Sequence, residues 1–69
     1  MQANYTPETL LKTYLLSFQC TSPNSMTFCN TIITTYRLTL PLIRETEKTV
    51  ARATGYDRAV FIAATEIDE

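Results

Sequence analysis

Met26–Leu40, MTFCNTIITTYRLTL, is the stretch whose reading decides the fold. With a period of two, Phe28, Ile32, Tyr36, Leu38 and Leu40 share one side, interrupted by Asn30 and Thr34. The other side carries Thr27, Cys29, Thr31, Ile33, Thr35, Arg37 and Thr39. That alternation, rich in β-branched residues, describes a strand. With a helical period, Cys29, Ile32, Ile33, Tyr36 and Leu40 form an equally good stripe. The length of the stretch, the absence of glycine and the Ser22-Pro23 start before it tip the expectation to helix.

The segment that follows is better specified. Proline fits the first helical turn and disfavours helix at the residue before it, so Pro41 sets a start and Gly55 a left-handed stop. The spacing predicts a helix over 41–54. Leu42, Ile43, Thr46, Val50 and Ala53 lie on one side and Arg44, Lys48 and Arg52 on the other. Arg37 joins that basic line only if the helix runs on through Pro41 with a kink. Glu45 and Glu47 near the start and Arg52 near the end suit the helix dipole.

Upstream, Thr6-Pro7-Glu8 resembles a capped helix start, and Leu10, Leu11, Tyr14, Leu15 and Phe18 follow at helical spacing. A helix over 7–19 is expected, then a loop at 21–25. Downstream, Asp57 offers a cap for residues 58–67, RAVFIAATEI, an apolar run that suits either a buried helix or a buried strand. The thirteen threonines are a warning against helix everywhere. Two architectures compete. The preferred one is all-α, a small bundle of three to four short helices. The alternative is α+β, an α-β-α-β chain with 28–40 and 58–65 as neighbouring strands. Two strands make a poor sheet, so that fold would be completed by dimerisation.

Sixty-nine residues imply a single small domain with a modest core, which favours self-association. The formal charge of −1 conceals an acidic end of Glu66, Asp68 and Glu69; residues 1–65 hold six basic and four acidic groups, net +2. That excess is too weak to imply nucleic acid by bulk charge. The chain opens at Met1 without a basic-then-apolar leader, and no apolar run approaches a membrane span; a cytoplasmic protein is expected. Cys20 and Cys29 then read as reduced, small apolar residues, the functional alternative being a redox pair.

Catalysis finds little support. There is no histidine, serines lack an assignable partner, and the single glycine excludes glycine-rich phosphate loops. We expect no enzyme activity, no cofactor and no metal site. Tyr36, Arg37, Tyr56 and Arg58 bracket the helix of 41–54, and tyrosine and arginine are common interface anchors. They are the candidate partner-binding residues. The function expected is a protein–protein interaction module, an accessory subunit or inhibitor that also forms homo-oligomers; a small phage protein fits this profile by size. The alternative is a binder of anions, nucleotide or nucleic acid, using Arg37, Arg44, Lys48 and Arg52.

Overall fold

The computed structural model describes residues 10–67. The chain runs β1 (Lys12–Ser22), β2 (Ser25–Thr35), α1 (Leu40–Thr54) and β3 (Arg58–Ile67). The sheet order is β2-β1-β3, with both neighbours antiparallel to the central β1. The all-α bundle is therefore wrong, and the protein is not a small helical one. The α+β class fits better, in the order ββαβ. The stretches 28–40 and 58–65 are not neighbours, because β1 lies between the two outer strands.

Residues expected as a helix over 7–19 form β1 from Lys12 onward; 7–9 lie outside the described residues. Along β1, Tyr14, Leu16, Phe18 and Cys20 point to one face, and Thr13, Ser17, Gln19 and Thr21 to the other. Burial of the first set outweighs the helical spacing that Leu15 creates beside Leu16. Leu16, Phe18 and Cys20 are completely buried. Each large apolar side chain so covered contributes about 1.5–3 kcal/mol.

β1 turns into β2 through two residues, Pro23 and Asn24, since Ser22 and Ser25 are already paired. Among the described residues no non-glycine residue has positive φ, which excludes the type I′, II and II′ turns here; proline at the second position suits a type I turn. The expected loop at 21–25 shrinks to this turn. The two strands then match without a slip from Ser22–Ser25 to Lys12–Thr35. Residues 26–35 are thus strand, and the chain leaves the sheet at Tyr36.

The helix expected at 41–54 is present as Leu40–Thr54. Thr39 caps it by accepting the Leu42 N–H at 3.3 Å, and Pro41 sits in its first turn, where no donor is missed. Gly55 ends it at φ 82°, its N–H donating to the Ala51 carbonyl at 2.9 Å. Arg52 lies in the last turn, but no acid lies in the first, so Glu45 and Glu47 do not serve the dipole there. Three threonines are accommodated by bonding back one turn: Thr46 to Leu42, Thr49 to Glu45 and Thr54 to Val50. Asp57 does not cap a helix; β3 begins after it.

α1 packs chiefly on β3. Val50 meets Leu16, Phe18, Cys20 and Ala59 to form the core, and Phe61 sets its ring edge-on to Phe18 with centroids 6.0 Å apart. Within β3, Phe61 pairs with Phe18 but Ala63 with Ser17, so Ile62 is an extra residue and makes a β-bulge. The bulge moves the core-facing set from Ala59 and Phe61 to Ala64 and Glu66.

Candidate interaction surface

α1 covers one face of the sheet; no described element covers the other. Register places four rows across the open face: Met26–Thr21–Arg58, Phe28–Gln19–Val60, Asn30–Ser17–Ala63 and Ile32–Leu15–Thr65. Phe28 and Ile32 are 65% and 61% exposed, and Met26, Val60 and Ile62 are also open to solvent. Arg58 is the sole charged residue among these rows. Three strands spaced about 4.8 Å apart and rising about 3.3 Å per residue give a face of roughly 14 by 36 Å, or about 500 Å² in projection. Isolated exposed apolar residues are ordinary; a contiguous set on one flat face marks a contact surface.

The two outer strands differ. On β3 the Phe61 N–H points away from β1 and donates to Glu47 Oε2 at 2.7 Å. Glu47 is held in turn by Arg44, whose Nη1 is 3.0 Å from the same oxygen. The helix thereby satisfies one outward donor of β3 beside the bulge, and Arg58 and Glu66 place charge near its ends. β2 has none of these devices. Its sequence SMTFCNTIITT contains no charge, proline or glycine, and its pairing with β1 is unbroken.

The sequence-derived sites are dispersed. Tyr36 and Arg37 leave the sheet beside the Lys12–Thr35 pair, whereas Arg58 pairs with Thr21 at the hairpin end. About nine residues of strand, roughly 30 Å, separate the two groups. Tyr36 and Arg37 are exposed, Tyr56 packs against the core, and Arg58 lies on the open face. The four residues thus do not form one patch. Of the basic line, Arg44, Lys48 and Arg52 lie on α1, while Arg37 precedes its cap. Arg44 is engaged by Glu47, which leaves Lys48 and Arg52 as the helix cations without an ion pair among the described residues. Two features escaped sequence reasoning: the open face, and the role of Glu47. Thr13, Ser17, Gln19 and Thr21 at alternate positions, interrupted by Leu15, carried the signal for the first.

Cys20 and Cys29 are diagonal neighbours on the helix side of the hairpin, since Cys29 pairs with Phe18 and Cys20 with Thr27. The two thiols share a hydrogen bond with Sγ atoms 3.3 Å apart, and both cysteines are free. That hydrogen bond raises the Cys29 pKa above the ordinary thiol value; burial and the charge of Cys20 push in the same direction.

Among the described residues no three His, Cys, Asp or Glu side chains converge to hold a metal ion. No helix of the described residues is long and apolar enough to cross a membrane. No protein-family model, curated protein or solved structure matches the chain.

Proposed function

We propose that the protein is a small interaction module, an accessory subunit or inhibitor that self-associates and acts by binding a partner protein through the open face of its sheet. The observation that carries this reading is that Phe28 and Ile32, two rows apart with Asn30 between them, are each more than half exposed on a nearly uncharged face. Burying such side chains against a partner is favourable at about 25 cal/mol per Å² of apolar surface, before the costs of association. The geometry suits a flat, apolar partner surface with few charges to desolvate. A cytoplasmic setting rests on the sequence alone and belongs to the same proposal.

The test is capture of a partner from the source cells by the tagged full chain and by two variants. Val60→Asp charges the open face, and Lys48→Glu reverses a charge on the outer side of the helix. The face variant is expected to lose the partner and the helix variant to keep it. A partner held equally by both would remove the face from the mechanism. Loss only with Lys48→Glu, accompanied by salt-dependent retention on a polyanion, would favour the reading based on Lys48 and Arg52 instead.

A further inference from the structure

An unpaired strand edge is a ready template for another strand, and folded proteins protect it with charge, proline, bulges or a covering element. β3 is protected in three of these ways. It carries the Ile62 bulge, it has Arg58 and Glu66 near its ends, and Glu47 from α1 occupies the Phe61 N–H. β2 is protected in none. It is eleven residues long, six of them β-branched, and α1 packs chiefly on the opposite strand. At the edge of an antiparallel sheet roughly every second residue of β2 aims both its N–H and C=O outward, with no partner among the described residues.

We propose that β2 pairs with β2 of a second copy, antiparallel about a two-fold axis at Asn30, to give one six-stranded sheet. This inference rests on the reading of the protein as a self-associating interaction module, and it names the edge and the register.

Three observations select a second copy as the occupant. First, antiparallel pairing of identical strands about a two-fold axis is always self-complementary in its backbone groups. Second, β2 carries no charge, so no like charges meet when it is set against itself. Third, only the axis at Asn30, the middle of Ser25–Thr35, overlaps all eleven residues. That register sets Phe28 opposite Ile32 of the second copy twice over, on the same open face. Aromatic and β-branched residues make favourable cross-strand pairs. It also sets Thr27 opposite Ile33 and brings the two Asn30 amides face to face, where each can donate to and accept from the other. The assembly closes at two copies, because both ends of the six-stranded sheet are then β3 edges, each with the Ile62 bulge, the charges of Arg58 and Glu66, and Glu47 on the Phe61 N–H.

The test uses the Asn30 pair, because only this register juxtaposes the residue with itself. Asn30 is exposed, so Asn30→Asp and Asn30→Lys leave the core untouched; circular dichroism checks that each keeps the fold. Sedimentation equilibrium of the full chain is expected to show a dimer. Either variant alone sets two like charges about 4.5–5.5 Å apart across the axis and is expected to raise the dimer Kd by about tenfold. An equimolar mixture of the two is expected to restore association near the wild-type level as a heterodimer, with the advantage reduced at high salt. A wild-type dimer indifferent to both variants and to their mixture would overturn the β2 edge while leaving the open face as the interface. A wild-type protein that stays monomeric at all concentrations would overturn self-pairing. The partner-capture comparison above would then decide the interaction reading by itself.

Discussion

Removing the Glu47 carboxylate tests whether one side chain holds the helix to the edge of the sheet. Glu47 has a side chain only 14% exposed, with Arg44 3.0 Å away and the Phe61 N–H 2.7 Å away. A hydrogen bond to an ionised group contributes about 1.5–3 kcal/mol, and a buried donor left without its acceptor accounts for much of the loss. Arg44 is 59% exposed, so its ion pair adds at most about 0.5 kcal/mol. Glu47→Ala should therefore cost about 2–3 kcal/mol. At about 4–8 °C per kcal/mol for a domain of this size, the Tm should fall by about 8–24 °C. Glu47→Gln keeps an acceptor oxygen and loses only the charge, so about half of that cost is expected.

The assay is urea and thermal unfolding followed by circular dichroism, at one fixed protein concentration because self-association makes Tm concentration-dependent. A double-mutant cycle with Arg44→Ala separates the two interactions. Arg44→Ala alone should cost less than about 0.5 kcal/mol. If Glu47→Ala costs no more than Arg44→Ala, the carboxylate is an ordinary surface group and the bond to Phe61 does not hold α1 against β3.

Three further outcomes follow from local geometry. Thr39→Ala removes the oxygen that accepts from the Leu42 N–H and should cost about 1 kcal/mol, read as a loss of helical signal at lower urea. Gly55→Ala meets nothing within 4 Å but forces a side chain into φ 82°; about 1 kcal/mol of destabilisation is expected with no change in m-value. The Cys29 thiol, its pKa raised first by the hydrogen bond it shares with Cys20, should react with iodoacetamide along a pH curve displaced upward, and Cys20→Ala should move that curve back down. Because the fold favours the protonated thiol, this contribution to stability is present below the ordinary thiol pKa and is lost as pH rises through the raised one. An alkylation curve unchanged by Cys20→Ala would contradict the 3.3 Å contact as its cause.

The helix was readable because its signals are short-range. Pro41 fixes its own φ, Gly55 tolerates the positive φ of a helix stop, and the three cations on its outer side need no knowledge of the rest of the chain. The strands failed for reasons that differ from one to the next. In β1 the core set Tyr14, Leu16, Phe18 and Cys20 alternates well, but Leu15 points to the open face and completes a helical stripe with Leu11 and Phe18. In β3 the bulge at Ile62 shifts the period by one residue, so Ala59 and Phe61 share a face with Ala64 rather than Ala63. In β2 both periods fit, and only pairing to β1 separates them. The candidate residues fared likewise. Tyr36, Arg37, Tyr56 and Arg58 lie close to the ends of one helix, yet β1 holds Thr35 and Arg58 at its opposite ends. Chain proximity to a helix does not translate into a shared patch across an antiparallel sheet.

The asymmetry of the two edges ties the stability of the monomer to the size of the assembly. The connection from β2 to β3 must cross β1, and α1 makes that crossing while settling over β3. The helix therefore stabilises the very edge it also blocks, through Glu47 and Phe61, and among the described residues nothing pairs with the far edge. A symmetric covering would remove both edges and with them the means of pairing; no covering would leave two edges and permit open-ended addition of copies. With one edge free, growth stops at a closed pair. The Glu47→Ala variant then carries a second consequence beyond its lower Tm. With the Phe61 N–H released, β3 gains an unpaired donor, and oligomers larger than two copies should appear by light scattering at concentrations where the wild-type protein stays closed. Glu47→Ala combined with Asn30→Asp should reduce them, because growth beyond two copies also needs the β2 pairing, which that substitution weakens about tenfold.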